Sequence, residues 1–126
     1  MKSTVRIVSL SLLILLVLCQ AGADAQSFRV LVVASRAHDH LKMIAAARPF
    51  FEQMAVENDF NLDFTDDTSQ INPANLARYQ VFVMLHLAPF DMSYGQQAAL
   101  QQFVERGGGW VGIHAAGLTG REFLAK

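Results

Sequence analysis

The residues of this sequence best suited to chemistry are its four histidines, namely His38, His40, His86 and His114. An imidazole side chain titrates near neutral pH, so it can serve as a general acid or base, and it is also a common ligand of zinc. The only cysteine, Cys19, lies in an apolar N-terminal segment. We therefore expect the chemistry of this protein to depend on imidazole rather than on a thiol.

Each histidine comes at or just after the end of an apolar segment that predicts a β-strand. The pairs are residues 28–34 with His38 and His40, residues 81–85 with His86, and residues 110–113 with His114. A further segment, residues 61–65, alternates apolar and polar side chains as a strand near an edge does. It ends at Asp66 and Asp67, a pair that ordinary turn chemistry explains.

Segments with helical spacing lie between these strands. They cover residues 41–58, residues 73–78 and a helix through Arg106 that starts with a capping box of Ser93 and Gln96. Pro49 must either begin the first of these helices or kink it. Strands alternate with helices and no hairpin signal intervenes, which predicts an α/β fold. We expect an open parallel sheet with helices on both faces, in the flavodoxin-like three-layer arrangement.

Such a sheet would bring the histidines together. In a 2-1-3-4 strand order the first, third and fourth strands are neighbours, and open parallel sheets bind ligands beyond the carboxyl ends of their strands. We therefore expect His38 and His114 to be catalytic groups or metal ligands, with His86 as a further ligand. A histidine at a strand end can also be purely structural. For His40 this hypothesis is equally well supported, since the residue can simply lead into the helix.

Three further residues belong to the predicted site. Asp39 or Asp91 could supply a carboxylate to a ligand or to a divalent metal such as zinc, which would keep an open coordination position. Gly112 is small and gives the turn at His114 room for a ligand. A divalent metal bound by His38, His86 and His114 is the only cofactor that these residue types suggest.

Residues 1–25 have the pattern of a secretory signal peptide. Their apolar stretch, residues 7–18, is too short for a permanent membrane span, because twelve helical residues rise only about 18 Å. We expect cleavage after Ala25, or else after Ala23, and export to the periplasm or the cell exterior. Lipid anchoring at Cys19 is the weaker alternative, because the bulky Leu18 precedes it.

Residues 26–126 are predicted to form one domain with little net charge. Removal of residues 1–25 changes the net charge from −1 to −2 and leaves no basic stripe for a phosphate backbone, which argues against nucleic acid as a partner. Four strands are few for this architecture, and the last would leave an apolar edge uncovered. We therefore expect the complete gene product to continue beyond Lys126 with further strands.

Three stretches of the sequence resemble the ThuA-like family, which is named for trehalose utilisation: FRVLVVASRAHDH, TDDTSQINPANLARYQVFVML and FVERGGGWVGIHAAG. The resemblance covers roughly residues 28–124 and implies the fold of class I glutamine amidotransferase domains, of which this chain would hold the N-terminal part. Those domains carry a catalytic cysteine at the turn where this sequence has His114. Because residues 26–126 contain no cysteine, glutamine hydrolysis through a thioester is excluded.

The resemblance implies a role in the utilisation of trehalose or a related disaccharide or keto-sugar. We expect an exported protein that binds a small carbohydrate in the histidine-lined crevice and acts on it as an enzyme. The alternative is a non-catalytic carbohydrate-binding or accessory module on the same fold. A glycosidase with two carboxylates is disfavoured, because no pair with convincing spacing lies in the crevice.

Overall fold

The computed structural model of the protein describes residues 27–117, in which four strands form one parallel sheet. The strands are β1 (Arg29–Ala34), β2 (Asn61–Thr65), β3 (Val81–Leu85) and β4 (Gly109–Ile113). Their order across the sheet is β2-β1-β3-β4, and every neighbouring pair is parallel. The predicted α/β fold and the predicted strand order are therefore confirmed.

Three helices connect the strands: α1 (Leu41–Glu57), α2 (Pro73–Leu76) and α3 (Tyr94–Glu105). The capping box at the start of α3 is present, since Gln96 N–H donates to Ser93 Oγ at 3.2 Å and Ser93 N–H donates to Gln96 Oε1 at 2.7 Å. The second helix ends sooner than predicted, at Leu76 rather than Arg78.

The expectation that Pro49 starts the first helix is wrong. Helix α1 runs over 17 residues with Pro49 inside it. Proline has no N–H to donate to the carbonyl of Ala45, four residues earlier. Both residues are exposed, so water can take the place of the lost donor. The helix therefore continues through the proline.

The two faces of the sheet are covered by different helices. Helix α1 packs on one face, where Phe51 joins Val32 and Val83 in a buried cluster. Helices α2 and α3 cover the other face through Leu76 and Phe103, in a cluster with Leu31 and Phe82. The two central strands, β1 and β3, are buried on both sides, which explains their continuous β-branched and apolar sequence. These two strands fix the positions of the loops that follow them.

Strand β4 is an edge strand, and the structure leaves most of it exposed. Trp110 and Val111 are each 45% exposed. A cavity of about 470 Å³ lies beside Trp110 and is lined on the other side by Leu100 and Val104 of α3. The uncovered apolar edge expected at the last strand is therefore found at β4, which among the described residues has a neighbouring strand on one side only.

Each strand is followed at its carboxyl end by a short 3₁₀ turn. These turns are His38–His40, Thr68–Gln70, Pro89–Asp91 and His114–Gly117. A 3₁₀ turn advances the chain only about 2 Å per residue. The residues after each strand therefore stay close above the end of the sheet.

Two predicted features, the signal peptide of residues 1–25 and a helix cap at Thr119 and Glu122, lie outside the described residues. Within residues 27–117, no helix has the length and apolar character needed to cross a bilayer.

Candidate functional site

Two histidines face each other at the carboxyl ends of the adjacent strands β3 and β4. His86 directly follows β3 and His114 directly follows β4, and the backbone N–H of His86 donates to the carbonyl of Ile113 at 3.1 Å. The register pairs Leu85 with Ile113, so the next residue of each strand is brought alongside the other. The Nδ1 atoms of the two rings are 2.9 Å apart.

Both of these histidines have left-handed backbone conformations. The φ angle is 55° at His86 and 56° at His114. Residues other than glycine rarely adopt positive φ, and each instance costs on the order of 1–2 kcal/mol. Strain of this kind persists where the surrounding structure enforces it, and it concentrates at functional sites. Among residues 27–117 it occurs at the two histidines whose rings meet and, outside the site, at Asp59 in the turn after α1.

His40 adds a third imidazole to this pair. Its ring stacks on that of His86 with centroids 4.6 Å apart and meets that of His114 edge-on at 5.1 Å. One ring nitrogen from each of the three residues lies within 4.8 Å of the others. We call these three residues the histidine cluster. It combines the loops after β1, β3 and β4, as the predicted strand order requires.

The Nδ1 atom of His40 is buried and has no hydrogen-bond partner among the described residues. The nearest carboxylate oxygen, Oδ1 of Asp39, lies 3.5 Å away and makes no hydrogen bond with it. Buried polar atoms are almost always paired, because an unpaired one carries its full cost of desolvation. The orphaned nitrogen is therefore evidence that a ligand completes this site.

The electrostatics of the cluster favour a neutral His86. Burial lowers the pKa of His86 below its ordinary value of 6.5, and nearby His40 and His114 lower it further because a second positive charge would be repelled. Its Nε2 lies 3.1 Å from the sulfur of Met43, which can accept a weak hydrogen bond. If Nε2 carries the proton and donates it to this sulfur, Nδ1 of His86 keeps a lone pair directed at His114, where it can accept a proton or bind a metal.

The donor set suits a divalent metal with nitrogen ligands. Three imidazoles are the ligands of many catalytic zinc sites, and they leave a fourth position open. Nitrogens bound to one zinc at about 2.0–2.1 Å can lie no more than about 4.2 Å apart. The pair of His86 and His114 already meets this limit, whereas the widest separation in the cluster, up to 4.8 Å, requires a small inward movement. Half-buried His40 has the room to make it.

The other residues predicted for the site lie around the cluster. His38, expected as a catalytic group and metal ligand, is exposed and is not part of the cluster, because side chains two positions apart in a 3₁₀ turn point in different directions. The side chain of Asp39 is 77% exposed beside His40. Asp91 lines a second cavity at the same rim of the sheet.

Gly112, expected to give a ligand room, has a role in packing. A Cβ at this position would lie 2.6 Å from the ring of Trp110 and 3.1 Å from the Cβ of Ala116. The glycine thus allows the indole to lie against β4.

Sequence reasoning did not select His40 and missed Met43. A single sequence cannot show which of two histidines in a short turn faces inward. The spacing of His40 and Met43, three residues apart at the start of α1, was the available signal, because residues three apart on a helix lie on one side.

The family model for ThuA, described as trehalose utilisation, matches residues 29–125. The chain belongs to the ThuA family. The match covers the whole described sheet and all three members of the histidine cluster, which lie on its first, third and fourth strand ends. The predicted family resemblance is thereby confirmed. None of the curated proteins compared with this chain matches it.

A solved structure is also similar to this ThuA-family chain: the crystal structure described as that of a ThuA-like protein from Bacteroides uniformis. The sequences are 30% identical and the TM-score is 0.67. The similarity covers 80% of this chain but 42% of the other, so this chain spans less than half the length of that protein.

Proposed function

We propose that this ThuA-family protein is an exported enzyme of carbohydrate utilisation whose histidine cluster acts on a hydroxyl or carbonyl group of a small sugar. The single observation that supports the proposal most is the meeting of three imidazoles from three separate loops, two of them on strained backbone. The family description, trehalose utilisation, supports a sugar as the substrate. Export rests on the signal-peptide pattern of residues 1–25.

We propose further that His40, His86 and His114 hold a divalent metal such as zinc. When bound, such an ion polarises a sugar oxygen and makes a hydroxyl more acidic at neutral pH. The protein residues provide the ligands and the geometry: burial keeps His86 neutral, and Met43 fixes the orientation of its ring. Because His114 is exposed, a substrate oxygen can reach the open side of the cluster.

Metal content tests this proposal. Purified protein exposed to one equivalent of zinc and then dialysed is expected to retain close to one ion per chain, measured by elemental analysis. His40→Ala and His114→Ala each remove a ligand and should retain far less. His38→Ala is the matched control, because this residue is an exposed histidine of the same turn. Equal zinc retention by all four proteins would overturn the metal site.

Turnover tests the enzyme. Trehalose and its keto derivatives are the first substrates to offer, and loss of turnover in His114→Ala but not in His38→Ala is the expected result.

A second candidate function uses the same cluster without metal. The 2.9 Å contact between the Nδ1 atoms of His86 and His114 suits a proton shared by two imidazoles, which would give sugar turnover that is insensitive to chelators. Turnover that survives His114→Ala contradicts both forms of the proposal.

The proposed export has its own measurement. The mass of the protein recovered from the cell envelope or medium is expected to correspond to a chain that begins at Gln26, or at Asp24 if the alternative cleavage site is used. Recovery of the uncleaved chain from the cytosol would contradict export. It would not bear on the chemistry of the histidine cluster, which zinc retention and turnover test.

A further inference from the structure

A second cavity, of about 320 Å³, opens at the same rim of the sheet as the histidine cluster. The end of β1 contributes Ser35, Arg36 and Ala37, and the loop after β2 contributes Asp66, Asp67 and Thr68. Leu87 lies next to His86 in sequence, and Asp91 comes from the 3₁₀ turn that follows. We call this the rim cavity. It lies on the β2 side of the sheet, away from the exposed strand β4.

The position of the rim cavity is the one that parallel sheets use for ligands. The chain leaves β1 across one face of the sheet through α1 and returns to β3 across the other face through α2. The boundary between β1 and β3 is therefore the point at which the strand order reverses, where a crevice opens beyond the carboxyl ends. Both Ser35 and Leu87 lie at this boundary, and Ser35 N–H donates across it to the carbonyl of Leu85 at 2.9 Å.

Ser35 is a buried polar residue with hydrogen-bonding capacity left over. Only 5% of it is exposed, and its Oγ accepts from the backbone N–H of Ala37 at 3.0 Å. Its hydroxyl proton has no acceptor among the hydrogen bonds of residues 27–117. A serine hydroxyl can donate once and accept twice, so Ser35 can still donate to an oxygen in the cavity.

The carboxylates of the rim cavity are oriented by bonds of their own. Asp66 forms an ion pair with Arg36, in which Nη2 donates to Oδ1 at 3.2 Å and Nε lies 3.2 Å from Oδ2. Asp67 accepts from the backbone and hydroxyl of Ser69 and from Gln70, and these bonds lower its pKa below its ordinary value. Asp67 therefore remains a charged acceptor at neutral pH, and Arg36 lies against Asp66, whose side chain is 62% exposed.

The charges define what could bind. Three carboxylates, those of Asp66, Asp67 and Asp91, against one guanidinium disfavour phosphorylated or carboxylated ligands. A divalent cation also fits poorly. The guanidinium of Arg36 lies against Asp66 and would repel a cation there, and three donors already bind Asp67. A neutral ligand with several hydroxyl groups fits both the acceptors and the donors of the cavity, since each hydroxyl can donate to a carboxylate and accept from Arg36 or Ser35.

The size of the rim cavity limits the ligand further. Small-molecule sites measure about 300–1,000 Å³, and the rim cavity lies at the lower end of that range. It therefore suits one hydroxylated ring rather than two. A second ring of a disaccharide would have to lie outside it, toward His86.

We propose that the rim cavity is the sugar subsite of the histidine cluster and that it binds one neutral hydroxylated ring through Asp66, Asp91, Arg36 and Ser35. This inference rests on the proposed function for the choice of a sugar, but the cavity can be tested without turnover or metal. The ring is placed so that the bond or group next to it faces His86. Asp66, which turn chemistry alone explained in the sequence, thereby gains a role in specificity.

Calorimetric titration with D-glucose tests the subsite in protein from Gln26 onward. Binding is expected for the unaltered protein, and Asp66→Asn and Asp91→Asn should each weaken it roughly ten- to a hundredfold, the usual effect of a lost hydrogen bond to a charged group. Zinc retention should be unchanged in both. Asp59→Asn is the matched control, since this exposed aspartate follows α1 at the opposite rim and its positive φ is one that asparagine tolerates.

The outcomes separate this inference from the proposed function. Loss of glucose binding in the two rim variants of a protein that retains no zinc supports the subsite and overturns the metal site. Normal zinc retention, with no effect of either rim substitution on glucose binding, supports the metal site and overturns the subsite. The subsite is also overturned if the unaltered protein does not bind glucose, or if glucose 6-phosphate binds more tightly than glucose. Calcium binding that is abolished by Asp66→Asn would identify a cation site instead.

Discussion

Single residues at the strand ends carry most of the information about function in this protein. His86 and His114 adopt a backbone conformation that glycine or asparagine would occupy at lower cost, and yet both positions hold histidine. The positive φ turns each chain sharply after its strand, so that the ring stands over the end of the sheet instead of continuing along it. Holding the imidazole in this position therefore lowers the stability of the local backbone.

This reasoning makes a prediction for position 114, where glycine should be better tolerated than alanine. His114→Gly is expected to be more stable than His114→Ala by about 1 kcal/mol, because glycine adopts positive φ without a steric penalty. Urea unfolding of the two variants measures the difference. At His38, for which no positive φ is found, alanine should be at least as stable as glycine. Equal stability of the two variants at position 114 would contradict the strain.

At this scale the sequence predicted the site only in part. It placed His86 and His114 at adjacent strand ends, because the strand order follows from the alternation of strands and helices. It could not separate His38 from His40, because that choice depends on a 3₁₀ turn of three residues whose rotation no periodic pattern reveals. The positive φ angles were also beyond reach, since histidine adopts them more often than most residues but still in a small minority of cases.

Among the secondary-structure elements, those with strong local signals were predicted most closely. The bounds of β2 and β3 match the predicted segments, and the Ser93 capping box marks the start of α3 as expected. The local rule was less reliable at Pro49, through which α1 continues, and local patterns do not show how exposed β4 is. The burial of a strand depends on what packs against it, and its own sequence does not contain that information.

The junction of α3 and β4 gives a prediction about two glycines. A Cβ on Gly108 would lie 2.4 Å from the ring of Phe103, which is buried in the core at the end of α3. Gly108→Ala must displace that ring and is expected to destabilise the protein by about 1–3 kcal/mol. Gly95→Ala, at the start of α3, is the control. A Cβ there would meet nothing closer than 3.9 Å, and the better helix propensity of alanine should stabilise the protein by up to about 1 kcal/mol.

Chemical unfolding of the two alanine variants shows whether the first loses stability and the second gains it. If Gly108→Ala were as stable as the unaltered protein, the close packing of the glycine against Phe103 would be wrong. The result matters for the site, because this junction sets the start of β4 and so the height at which His114 meets His86.

At the scale of the whole molecule, the two rims of the sheet differ in what they do. At the amino-terminal side, Arg29 and Tyr79 bind the carboxylate of Asp63 at 2.8 Å and 2.6 Å, and the bond from Tyr79 chiefly lowers the pKa of Asp63. This network joins β1, β2 and the segment before β3, and it satisfies its polar groups internally. The carboxyl rim instead holds the orphaned nitrogen of His40 and the hydroxyl proton of Ser35, which has no acceptor among residues 27–117. The polar groups that can still form hydrogen bonds thus lie where ligands are expected.

The exposed strand β4 gives the last prediction, which concerns association. Within residues 27–117 no strand pairs with the outer edge of β4, and such an edge with half-exposed Trp110 and Val111 is a template for pairing with another chain. We expect protein from Gln26 onward to self-associate at high concentration, and Val111→Lys should shift it toward the monomer, because burying the new charge in a strand-to-strand contact is costly. Light scattering during gel filtration measures the mass. Val56→Lys is the control, since Val56 is 84% exposed on α1, away from this edge. If both lysine variants behave alike, β4 is not the surface that associates. If Val111→Lys also retains its zinc, the edge and the histidine cluster are independent even though the same strand carries both.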